Sequence, residues 1–249
     1  MTRTQTVRKT RPSGAGEEER LAECRAQAAL YGLVGRCLEE EVDEALLGLL
    51  RGPLAGPLAA VGLVLDAELL QAPAAPLLEA LAEEYTVLFV APGGVSPFAS
   101  VFETGCMFRE PADRAMAAYR AAGWDWQRRQ SGEFPDHVGT LLAFLGVLAG
   151  AEAEALEQAD TDAAARWRQQ RESFLLEEIG PWVPGWCRRA AAAAMQPFYR
   201  QLLGFSGQLL WTDIAAVADR RQLRALAELN RREPKKLDYN ADFRKASGL

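Results

Sequence analysis

Histidine occurs once in this chain, at His137, and cysteine four times, at Cys24, Cys37, Cys106 and Cys187, with no CxxC pair among them. One imidazole and four scattered thiols exclude zinc knuckles, thioredoxin-type sites and most haem sites, so neither a metal nor another cofactor is expected. The thiols read instead as buried side chains in a reducing cytoplasm. No Gly-x-Ser-x-Gly element is present, which leaves a Ser-His-Asp hydrolase without its nucleophile turn. Gly93-Gly94 lacks the following Lys-Ser/Thr of a phosphate-binding loop, and no other nucleotide motif occurs. A secretion signal is missing too, because the basic start (Arg3, Arg8, Lys9, Arg11) runs into Glu17-Glu18-Glu19 and not into an apolar stretch. The longest apolar windows, 54–70 and 138–151, are too short for a membrane span or are broken by proline and charge.

What is abundant is alanine and leucine. With 249 residues, 49% of them apolar, and few β-branched side chains, the composition implies an all-α protein folded as a single compact multi-helix bundle. Net charge is −6, but residues 1–11 carry +4 and residues 231–249 carry +3, which leaves −13 for residues 12–230. A body this acidic repels nucleic-acid phosphates and draws basic ligands. The organisation expected is a disordered basic arm over 1–16, an all-helical domain over 17–232 and a polar tail over 233–249. A soluble, cytoplasmic protein without nucleic-acid binding or stable membrane insertion follows.

Leu21, Cys24, Ala28, Tyr31, Val34 and Leu38 recur at three- and four-residue intervals, the apolar stripe of a helix beginning in the acidic run. Further helices are expected over 42–50, 58–70, 77–90 and 111–122, the last ended by Gly123, while two Gly and two Pro make 91–97 a loop. Tyr85 reads as core. The second half is more regular, with helices over 136–157, from a cap at Thr161 or Asp162 through 179, and over 182–195, 197–211 and 213–231. Four arginine pairs, including Arg188-Arg189 and Arg231-Arg232, read as solvated faces.

The polar corner Pro135-Asp136-His137-Val138-Gly139 opens the most apolar of these helices. Asp136 is expected to be its N-cap, with Pro135 just before it. Neighbours on a helix project about 100° apart, so Asp136 and His137 form no direct nucleophile-base relay by themselves. A general-base reading of His137 oriented by Asp136 is the enzyme alternative. Phe98, Phe102, Trp124, Trp126 and Phe134 lie on or beside the two loops flanking this corner, well placed to line a groove for an apolar peptide.

Five segments, in order, carry a resemblance: Glu84–Pro92 (EYTVLFVAP), Ser96–Phe102 (SPFASVF), Pro135–Gly139 (PDHVG), Phe174–Trp182 (FLLEEIGPW) and Pro197–Leu203 (PFYRQLL). Together they resemble the TorD/DmsD/NarJ family, cytoplasmic chaperones for redox-enzyme maturation that assist molybdoenzyme assembly. The chain departs from many relatives in having Leu141, Leu142 and Ala143 where acids often follow the Asp-His pair, and Glu178 or Ile179 where a histidine often precedes the Gly/Pro-Trp turn. The resemblance implies a non-catalytic chaperone, without a cofactor, that binds the twin-arginine signal peptide and the apo-subunit of a molybdopterin oxidoreductase. It would assist cofactor insertion and delay export, with Phe98, Ser100, Phe102, Pro135, Asp136, His137 and Gly139 lining the peptide site. A helical scaffold or accessory subunit permanently bound to a partner protein is the alternative, and a hydrolase using Asp136 and His137 a further one. Monomer and domain-swapped dimer both remain open, the hinge being 91–97 or 124–134.

Overall fold

The computed structural model describes residues 14–127 and 134–236. Its helices are α1 (Gly14–Glu39), α2 (Glu44–Arg51), α3 (Ala55–Ala60), α4 (Ala67–Gln71), α5 (Ala74–Tyr85), α6 (Ala99–Thr104), α7 (Glu110–Ala121), α8 (Val138–Glu157), α9 (Thr161–Phe174), α10 (Val183–Ala193), α11 (Pro197–Val217) and α12 (Arg220–Leu229). Among the described residues there is no strand, only one isolated antiparallel bridge between Phe98 and His137. The all-α expectation is met.

Helix α8 is the axis. Leu141, Leu142, Leu145, Leu148 and Ala149 are almost fully buried, so nearly its whole circumference faces protein. It packs along α1 on one side and α9 on the other, while α10 and α11 form an antiparallel pair against the same core. Glycine sets the α1–α8 distance: a Cβ on Gly139 would lie 2.8 Å from the Gly35 carbonyl oxygen and 2.9 Å from Glu39 Cβ. Backbone therefore touches backbone, and only a residue without a side chain fits. α8 is the one described helix long and apolar enough to cross a membrane, yet 67% of that window is buried inside the protein, as in a core helix.

Local chemistry explains the helix starts. Asp43 accepts the Leu46 amide at 2.7 Å, Asp66 that of Leu69 at 2.9 Å, and Asp160 that of Ala163 at 2.9 Å. Asp219 and Gln222 form a reciprocal capping box at α12. Several boundaries differ from the sequence reading. α1 begins at Gly14, ahead of the acidic run and inside the expected arm, whose residues 1–13 lie outside the described ones, as do 237–249 of the tail. The helix expected over 58–70 is two short ones, parted where Gly62 turns to φ +97°. The cap of α9 is Asp160, not Thr161 or Asp162. α11 runs six residues past Trp211, because Asp213 accepts hydrogen bonds from Tyr31 and Gln27 instead of capping a new helix. α5 and α9 each run on into a π-helical turn, 86–90 and 175–179, so the expected extents hold with a wider final winding.

One buried charge cluster binds the far half of α8 to its neighbours. Glu152, fully buried, accepts from Arg20 of α1 and from Arg168 and Arg171 of α9, all at 3.0–3.1 Å. Arg171 continues through Gln27 to Asp213 on α11, where Tyr31 also donates. All four cysteines are free; Cys106 is half-buried, and burial of the other three pushes the Cys24 thiol up to about 11 and those of Cys37 and Cys187 up to about 12.

Candidate functional site

The starts of α6 and α8 are spliced together. The Val138 amide donates to the Pro97 carbonyl at 2.8 Å, and the Ala99 amide donates to the Asp136 carbonyl at 3.1 Å. Asp136 Oδ2 then accepts the Ser100 amide at 2.7 Å. The carboxylate therefore caps α6, a helix 36 residues away in sequence, and not its own. The cap of α8 is His137, whose Nδ1 accepts the Gly139 amide at 3.0 Å. The expectation that Asp136 caps α8 is thus corrected: the bridge turns its side chain toward α6 and leaves the imidazole over the first turn of α8.

Other contacts close this joint. The Tyr119 hydroxyl of α7 donates to the Pro135 carbonyl at 2.6 Å, and Ser100 Oγ accepts the Arg109 amide at 3.2 Å. The Phe98 ring meets His137 edge-on with centroids 5.0 Å apart. Burial pushes the imidazole down to about 4, so at neutral pH it is uncharged, and its Nδ1 acceptor role puts the ring proton on Nε2. Burial, with Asp136 close by, holds the Tyr119 hydroxyl well above its ordinary range. Asp136 Oδ1 is buried and has no hydrogen-bond partner among the described residues. Asp136 and His137 bond to separate backbone amides, an arrangement of two helix caps and not of a general base with its orienting acid.

The seven residues singled out in the sequence are accordingly brought together, but mostly inside. Ser100, Phe102, Pro135, Asp136, His137 and Gly139 are buried, and Phe98 is half-buried. Phe98 touches Phe134, which touches Phe108, 56% exposed, so a row of rings leads from the joint to the surface. Phe102 stacks on Trp182 with centroids 5.5 Å apart and has two guanidinium groups over its ring, Arg189 at 5.0 Å and Arg232 at 5.7 Å. Those arginines belong to two pairs expected to be merely solvated.

Beside the joint opens a hollow of about 420 Å³, whose walls include Glu39 and Glu40 at the end of α1, Trp124, Asp125 and Trp126 after α7, and Thr140 of α8. Glu39 accepts the Thr140 hydroxyl at 2.8 Å, which ties this hollow to the first turn of α8. Trp124 and Trp126 are among the aromatics that the sequence places beside the corner; the acids are not. Glu39-Glu40-Glu41 is visible as a run of charge, but its place beside α8 follows from the Gly35–Gly139 crossing, which no local pattern announces.

A family model described as nitrate reductase delta subunit matches residues 52–188, more than half of the chain. The crystal structure of a proposed redox enzyme maturation protein from Archaeoglobus fulgidus is 26% identical, over 59% of this chain and 91% of that one, with a TM-score of 0.37. No curated protein matches the sequence.

Proposed function

Because the chain belongs to the nitrate reductase delta subunit family, chaperones of molybdoenzyme maturation and not catalysts, we propose that it binds the twin-arginine leader of an apo-oxidoreductase in the cytoplasm. It holds that subunit until the cofactor is inserted and keeps its export signal covered meanwhile. The observation that carries this reading is the hollow beside the joint, in which three carboxylates and two tryptophans stand at the edge of a rigid helical core. Acid and ring together suit a basic head followed by apolar residues. Phe98 and Phe102 extend the apolar contact along α6, while Ser100, Pro135, Asp136, His137 and Gly139 hold α6 and α8 in register beneath it. Burying two or three leucine-sized side chains contributes on the order of 4–8 kcal/mol before ordering costs, which leaves reversible, micromolar-type binding. Reversibility suits a chaperone that must let its client go.

The test is titration of a synthetic twin-arginine leader against the native chain, Trp124→Ala and the double variant Glu40→Gln/Asp125→Asn. These side chains are exposed, so folding is spared. Loss of the ring should weaken binding about tenfold, and loss of the two charges about two- to fivefold, the latter effect fading as salt rises. Native affinity in both variants removes the hollow from the account.

A second hollow, about 630 Å³ and lined by Leu203, Trp211, Pro184 and Ala191 between α10, α11 and α12, favours the permanent-scaffold alternative. That reading requires a stoichiometric complex that excess leader does not displace.

A further inference from the structure

After α12 the chain stops being helical and crosses back over α6. Asn230 anchors the crossing: it is buried, accepts the Gly185 amide at 2.6 Å and donates to the Gly180 and Leu226 carbonyls at 2.7 and 2.8 Å. Residues 231–236, Arg-Arg-Glu-Pro-Lys-Lys, are all exposed and without regular structure. Among the described residues, turn bonds and an ion pair tie Arg231 and Arg232 back to Glu228 and Leu229, Arg232 Nη2 donates to the Pro181 carbonyl at 3.4 Å, and three further contacts seat the segment over α6. The Lys235 amide donates to the Phe102 carbonyl at 3.0 Å, Arg189 donates to the Arg232 carbonyl at 3.2 Å, and the Arg232 guanidinium lies over the Phe102 ring. Arg189 is itself poorly satisfied there, with Nε and Nη2 buried and without partners among the described residues.

This segment shares the basic head attributed above to the client, paired arginines and then a proline and two lysines with one acid among them, but not its apolar run. Its contact point, Phe102, is a residue chosen independently as a client contact. The ring is only 4% exposed, and part of what covers it is an exposed basic segment and not core. A client that uses Phe102 must first displace that segment.

We propose that residues 231–236 form an exchangeable strap, a built-in competitor that occupies the α6 face with Arg232 over Phe102 until a basic segment of the client replaces it. The proposal rests on the leader-binding reading and adds its regulation: the strap weakens casual binding and returns to its seat when the client leaves, which speeds release. Arg232 is exposed and its removal leaves the Asn230 anchor in place, so Arg232→Ala tests the idea without unfolding the protein.

Leader affinity is measured for the native chain and for Arg232→Ala, together with hydrogen exchange at the Lys235 amide of the native chain with and without saturating leader. Loss of the Arg232 side chain, with its ring contact and its bonds to the Leu229 and Pro181 carbonyls, should tighten leader binding about two- to fivefold, and saturation should speed exchange at Lys235 markedly. Equal affinities, or a Lys235 amide that stays protected at saturation, overturn the strap and leave the leader-binding reading standing. No binding of leader to either protein overturns that reading and the strap with it.

Discussion

The two ends of α8 each hold a buried carboxylate, and they are finished differently. Glu152, near the carboxyl end, has both oxygens engaged by three arginines from α1 and α9. Asp136, just before the amino end, has one oxygen on the Ser100 amide and, among the described residues, no partner for the other and no ion pair. Burial by itself would raise the Glu152 pKa; the arginines outweigh it and hold the group below its ordinary value. The first arrangement is a clamp in which every lone pair is used. The second spends its geometry on joining two helices beneath the hollow and leaves one buried acceptor unused, the looser finish of a joint and not of a clamp.

The comparison breaks if the clamp proves dispensable. Glu152→Gln leaves Arg171, which is 4% exposed, without its counter-charge, and should cost about 3–5 kcal/mol in urea denaturation. A loss below about 1 kcal/mol would deny the cluster its structural role.

Next in size is the effect of acid on the joint. Burial lowers the folded pKa of His137 to about 4, below its unfolded value near 6.5, so the unfolded chain takes up the proton first. The stability this group contributes is complete above pH 6.5, falls as pH drops through the window from 6.5 to 4, and is gone below it. The whole effect is on the order of 3 kcal/mol. His137→Asn keeps a capping side chain but does not titrate, so its stability should fall less steeply than native between pH 7 and pH 4.5. Parallel pH profiles would mean that the imidazole is not the group taking up the proton.

Much of the bundle was legible because it is written locally. The apolar stripe from Leu21 to Leu38 and the breaks at Gly123 and Gly180-Pro181 depend on neighbours a few residues away, and their helices appear where expected. The clamp was missed, although one signal existed: Glu152 follows Leu145, Leu148 and Ala149 at helical spacing, so it stands in the buried stripe of α8. An acid in such a stripe calls for cations on the facing helices. The joint was half legible. Pro-Asp-His-x-Gly marks a helix start correctly, but which helix Asp136 caps depends on α6 lying alongside, a contact between loops that spacing does not encode. Arg232 is exposed as expected, but its ring contact is illegible for the same reason, since its partner lies 130 residues earlier in the chain.

The most direct measurement of the central claim is leader affinity in Trp124→Ala and Glu152→Gln, each compared with native at equal folded concentration. The account predicts that Trp124→Ala, which takes a ring out of the hollow beside the joint, weakens binding about tenfold, while Glu152→Gln binds as native once folded. Native affinity in Trp124→Ala together with lost binding in Glu152→Gln would contradict it, and would move the site to the other end of α8.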